Sequence, residues 1–314
     1  MKTLSQDILH LIGNTSLIAL RNVVPENGSR VLLKLESENP TGSVKDRQAL
    51  AMIEAAEADG RLTPRGSVVE YTGGSTGVSL SLVCAVKGYR LDSVSSDAFS
   101  QEKLDHMRIL GAELHVIESD AGRMTEKLTR DMIEAARIIA EENGGYWTDQ
   151  LSNTDQLAGY ERMAEEIWDQ TGGRIDGFVQ SVGTAASLRG NAEVLRGHNP
   201  EIIIVAVEPS ESAVLSGGPT GAHKIDGVGA GFVVPLWDGD IADRIDQVST
   251  EEATAMAMRL AREEGLFAGT STGANAIAAL RLAEQLGPDA TVVSVICDTG
   301  MKYLKTYGAR LVAR

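Results

Sequence analysis

The chain has 314 residues, 43% of them hydrophobic, 23% charged and 4% aromatic, enough apolar material for one large or two medium cores and too much for a disordered chain. With 29 basic against 44 acidic residues the formal charge is −15, and no Lys/Arg-rich run occurs. That balance excludes nucleic acid and anionic membrane surfaces as partners, because both need a basic footprint.

In chain order, helical spacing runs over 47–58, and a β-branched strand over 67–71. Another strand follows over 91–96, then a helix over 101–110, a strand over 112–118 and helices over 124–142 and 157–170. Three more strands are predicted over 177–183, 202–209 and 291–298. Buried strands alternating with amphipathic helices predict an α/β fold with mostly parallel sheets covered on both faces. Asn143-Gly144-Gly145, after an acidic helix, marks a place for one lobe to stop, and the Gly/Pro-rich stretch 216–235 reads as a functional loop. The N-terminus has no signal-peptide pattern and no segment reaches the roughly 18 apolar residues of a membrane span, so a soluble cytoplasmic protein is expected. Cys84 and Cys297 stand in apolar runs and read as reduced core residues. No CxxC or HExxH spacing occurs, so no metal is expected.

In open parallel sheets, ligands sit where strands give way to helices. Three such turns are rich in small residues: VVEYTGGSTGVSL, FVQSVGTAASLRG and GTSTGANAIAAL. One alone is an ordinary helix cap; three together point to an anionic ligand, phosphate or carboxylate, held by unpaired N–H groups. The nucleotide signature GxxxxGK[ST] is absent. Lys45 sits where a turn becomes a helix, beside small residues. A lysine partly desolvated at that place has its charged form disfavoured and can serve as a nucleophilic amine, the requirement for a Schiff base.

NPTGSVKDR (39–47) resembles the cofactor-lysine motif of the cysteine synthase (O-acetylserine sulfhydrylase) and cystathionine β-synthase family of pyridoxal-phosphate enzymes, in the tryptophan-synthase-β structural class. The resemblance covers nearly the whole chain. LIGNTSLIAL, EYTGGSTG, DQLSNTDQ, VGTAASLRG, VEPSESAVLSGG, HKIDGVGAGF, GTSTGAN and DTGMKYL are similar to further family segments, in the family's order.

The resemblance implies two lobes, each a mostly parallel twisted sheet covered by helices. Residues 40–145 would form a smaller mobile substrate lobe, and 1–39 with 146–314 the larger cofactor lobe. It implies pyridoxal 5'-phosphate as cofactor, with Lys45 holding its aldehyde and then acting as base at the substrate Cα. Gly183, Thr184, Ala185, Ala186 and Ser187 would hold the phosphate, and Ser271 would meet the pyridine nitrogen. Thr72, Gly73, Ser75, Thr76 and Gln150 would surround the substrate carboxylate, Ser75 also approaching the cofactor, with Gly227 near the substrate's amino end. The activity implied is β-replacement on an activated serine, O-acetylserine with sulfide or another thiol, in a cytoplasmic homodimer.

The chain departs from the family pattern where TSGNTG becomes TGGSTG: Gly73 lacks a hydroxyl and Ser75 replaces an asparagine. Ala185 and Ala186 stand in place of two phosphate-loop glycines, and Ser16 in place of a proline. The altered loop keeps a β-eliminating lyase open as an alternative, whether cysteine desulfhydrase or serine/threonine dehydratase. Cystathionine formation and a non-catalytic cofactor-binding relative stay open too. With Arg314 soon after DTGMKYL, no appended regulatory domain is expected.

Overall fold

Among the residues that this computed structural model describes (5–24, 26, 29–122 and 125–312), ten strands form two sheets. They are β1 (Leu17–Ala19), β2 (Arg30–Leu35), β3 (Ser67–Tyr71), β4 (Arg90–Ser96), β5 (Glu113–Ile117), β6 (Tyr146–Trp147), β7 (Gly177–Ser181), β8 (Ile203–Pro209), β9 (Arg244–Val248) and β10 (Thr291–Ile296). The larger sheet has the order β1-β2-β10-β7-β8-β9 and the smaller β5-β4-β3-β6. All pairings are parallel except β1 with β2. β7 and β10 are buried at every position, as strands covered on both faces must be. β6 pairs with β3 at Tyr146 and Trp147, so the smaller sheet reaches just past residue 145.

The helices are α1 (Lys45–Asp59), α2 (Ser75–Lys87), α3 (Gln101–Ile109), α4 (Glu126–Asn143), α5 (Leu157–Thr171), α6 (Ala186–His198), α7 (Thr250–Arg259), α8 (Thr270–Leu286) and α9 (Leu304–Val312). Local chemistry sets their ends. The Thr125 hydroxyl accepts from Leu128 N to open α4, and left-handed Gly144 closes it. Ser249 and Glu252 form a reciprocal capping box on α7. Position 124, the expected start of α4, lies outside the described residues.

The main core joins the two sheets: Val69, Tyr71 and Val94 of the smaller pack in one cluster with Tyr160, Phe178 and Val295. A second cluster lies between the larger sheet and α7–α8, and a third between α1, α2 and the smaller sheet. Strand-to-helix turns after β3 and β7, the start of α8 and the chain leaving β10 come together between the sheets. No described helix is long and apolar enough to cross a membrane.

Candidate active site

Lys45 is the first residue of α1, and three attachments fix that helix end. Val44 N donates to the Cys297 carbonyl at 2.8 Å, which ties the turn to the end of β10. The buried Asp46 carboxylate accepts from Thr41 N at 2.8 Å and from the Ser79 hydroxyl at 2.6 Å. The Arg47 guanidinium forks onto Glu36, at 2.7 and 2.9 Å, and onto Glu166, at 2.8 Å twice. Burial alone would raise the Glu166 carboxyl, but Arg47 and Lys34 outweigh it and hold it at about 2. Lys45 itself meets no such carboxylate in a hydrogen bond. Burial pushes its ammonium below the usual lysine range, against the opposing pull of Cys297 and Asp298.

Lys45 opens into a cavity lined by Ser75, by Gly183, Thr184, Ala185 and Ser187, by Gly227 and by Ser271. The α6 start brings its unpaired N–H groups to one end. Ala185, its N-cap, takes the left-handed conformation with φ 69°, where glycine would be free of strain. Ala186 is the first helical residue behind it. A Cβ on Gly183 would run into the Gly227 carbonyl, so bare backbone is required where the two loops touch. The Ser187 hydroxyl pairs with the Gln180 amide at 2.7 and 3.0 Å.

Of the turn after β3, Ser75 lines the cavity, whereas Thr72, Gly73 and Thr76, with Gln150, do not. The Thr72 hydroxyl accepts from Gly74 N and Gly77 N, both at 3.0 Å, and so caps the start of α2. Thr76 Oγ1 donates to Gln150 Oε1 at 2.8 Å, bringing together two of the residues expected around a carboxylate. Gly73 lies against the Phe99 ring. Gln150 is held from behind by Glu70, which accepts from Gln150 N at 3.0 Å and from the Thr148 hydroxyl. Burial pushes the Glu70 carboxyl up to about 8 despite those hydrogen bonds.

The structure adds residues that sequence reasoning missed. Gln180, Ser181, Asp226, Asp298 and Tyr303 also line the cavity. Lys103 of α3 reaches across to Asp226 Oδ2 at 2.9 Å. A polar pair inside the otherwise apolar strand FVQS was the only signal for Gln180 and Ser181. Cys297 corrects an expectation. Cys84 is buried in the third core cluster, whereas Cys297 lines the cavity beside Lys45, with Asn275 Nδ2 at 3.4 Å from its sulfur. Strand β10 ends at Ile296, and the chain turns its next side chain inward toward the ligand space. Burial pushes that thiol up to about 11.

Comparison with known proteins follows the same residues. The family model described as pyridoxal-phosphate dependent enzyme matches residues 8–298. The chain belongs to this family. It is 41% identical over 302 residues to a cysteine synthase of Staphylococcus aureus, covering 96% of each chain. Among solved structures it is similar to a cysteine synthase from Entamoeba histolytica, with TM-score 0.91, 36% identity and coverage of 97% of this chain and 90% of that one. It is equally similar to an O-ureido-L-serine synthase, with TM-score 0.89, 36% identity and coverage of 97% and 95%. The protein is a PLP-dependent enzyme of the cysteine synthase kind.

The cavity fits that cofactor. It holds a desolvated lysine, a helix start with free donors at one end, a serine hydroxyl at the start of α8, and the unpartnered, buried Ser181 hydroxyl.

Proposed function

We propose that the enzyme carries out β-replacement on an O-activated serine, O-acetylserine with sulfide giving cysteine, as a cytoplasmic homodimer. The observation that carries this reading is the desolvated Lys45 amine, opening into the same small cavity as the α6 start and as Ser75, the residue before Thr76 of the Thr76–Gln150 pair. When bound, pyridoxal phosphate supplies an electron sink for the substrate Cα.

The residues divide the remaining work. Gly183, Thr184, Ala185, Ala186 and Ser187 hold the phosphate by main-chain N–H groups. Ser271 offers a hydroxyl to the pyridine nitrogen, and a neutral donor leaves that nitrogen unprotonated. Thr72, Gly73, Ser75, Thr76 and Gln150 orient the carboxylate, with Gly227 beside the amino end. Lys45 would hold the cofactor aldehyde, and its amine would take the Cα proton. A depressed ammonium pKa serves this step, since only the neutral amine can accept. Loss of acetate from Cβ, addition of sulfide there and return of the proton from Lys45 to Cα complete the exchange.

The test is the visible spectrum of the holoenzyme before and after O-acetyl-L-serine. A persistent new absorption that reverts when sulfide is added supports the reading. Rapid reversion with pyruvate release and no sulfide assigns a β-eliminating lyase instead. An unchanged spectrum rules out O-acetylserine as the first substrate.

A further inference from the structure

We infer that Gln48 and Tyr160 are positioning residues for the substrate carboxylate, acting through a one-way chain of hydrogen bonds that ends on Gln150. This rests on the reading that Thr76 and Gln150 meet that carboxylate. Tyr160 OH lies 2.7 Å from Gln48 Oε1, and Gln48 Nε2 lies 3.2 Å from Thr76 Oγ1. Thr76 Oγ1 lies 2.8 Å from Gln150 Oε1, and Gln150 Nε2 lies 2.8 Å from the Tyr71 carbonyl. All four side chains are buried, Gln48 and Tyr160 completely.

Hydroxyls and amides can each present a donor or an acceptor, so such a chain could run in either direction. One member cannot: the Tyr71 carbonyl only accepts. The Gln150 atom facing it must therefore be the NH2 group, which turns Oε1 toward Thr76. Thr76 must then donate its single proton to Gln150, and its oxygen is left to accept from Gln48. The Gln48 NH2 faces Thr76, its Oε1 faces α5, and the Tyr160 hydroxyl must donate. Burial holds the Tyr160 phenol well above its usual range, so that proton is always present.

The consequence lies at the far end. With Oε1 occupied by Thr76 and one N–H occupied by Tyr71, Gln150 keeps one amide N–H without a protein partner among the described residues. An amide turned the other way would present a lone pair there and repel a carboxylate. The Tyr71 carbonyl fixes the sense of that amide, and Gln48 and Tyr160, from α1 and α5, hold the Thr76 hydroxyl in the donating sense that keeps it so.

The test compares holoenzymes of the wild type, Q48E, Q48M, Y160F and Q150L. Binding of O-acetyl-L-serine and of its carboxamide is followed by absorbance titration, and hydrogen exchange of the Gln150 side-chain amide by NMR. Q48E cannot donate to Thr76, so it reverses that hydroxyl and weakens carboxylate binding about ten- to a hundredfold. Q48M and Y160F weaken it about three- to tenfold, speed exchange of the Gln150 amide, and leave carboxamide binding and the cofactor spectrum unchanged. Y160F removes one atom and keeps the fold testable. If Q150L weakens binding while Q48M and Y160F match the wild type, the relay is overturned, and an effect confined to Q48E is charge repulsion and overturns it equally. If Q150L itself binds like the wild type, the underlying assignment of Gln150 fails instead.

Discussion

A Cβ built on Gly73 meets the Phe99 ring at 2.8 Å, closer than real contacts allow, so the ring occupies the space of any side chain at 73. The missing hydroxyl in the carboxylate loop and the aromatic residue 26 positions later are one feature. Gly73→Ser should destabilise the protein by about 1–3 kcal/mol through overpacking. Phe99→Ala should cost its own lost burial. The double variant should be more stable than the sum of the two predicts, because the serine then has room. A double-mutant cycle by urea denaturation reads this coupling, and additive effects would show that Phe99 yields without cost. The departure at 73 was legible in the sequence. Its reason was not, because Phe99 reaches that loop only through the pairing of β3 with β4. Cys297 was misread for a related reason: an apolar flank does not say which side of a strand's end faces a ligand.

At the scale of elements, α1 carries Lys45, the proposed catalytic lysine, and is held by charge. Arg47 is nearly fully buried between Glu36 and Glu166, with Lys34 also on Glu166 at 2.6 Å. Removing the cation strands the fully buried Glu36, so Arg47→Met should cost about 3–5 kcal/mol, measured by denaturant unfolding. Glu36→Gln combined with Arg47→Met should recover much of it, since the stranded charge is gone. The helices expected over 47–58, 101–110, 124–142 and 157–170 match α1, α3, α4 and α5 to within about two residues, α7 and α9 were not foreseen, and β3 fell at 67–71 as its β-branched run predicts. β2, an apolar run, was missed as well, and two further missed strands carry little local signal. β9, Arg-Ile-Asp-Gln-Val on a sheet edge, carries half-exposed polar residues without the continuous apolar run of β7 or β10. β1 has three residues and owes its existence to antiparallel pairing with β2, a contact that no local pattern announces.

For the whole molecule, the question is which part closes on the substrate. Residues 40–145 are a lobe by sequence, yet α1 is bound to the larger side. A Cβ on Gly159 of α5 would clash with the Arg47 backbone, and the Arg47–Glu166 fork locks the same seam. Against α2, α1 shares the third apolar cluster and two side-chain hydrogen bonds, Gln48 with Thr76 and Asp46 with Ser79. Close backbone packing resists sliding, whereas side chains can change rotamer and partner. We therefore expect closure to carry the smaller sheet with α2–α4 while α1 stays with α5, pivoting along the α1–α2 seam. Paired spin labels distinguish the two. A label at the exposed Lys127 of α4 against one at Arg259 of α7 should report a shorter distance when O-acetyl-L-serine is added. Labels at Glu54 of α1 and Arg162 of α5 should hold theirs. A change in the second pair would mean that 40–145 moves as one body and that the Arg47 fork breaks in each cycle.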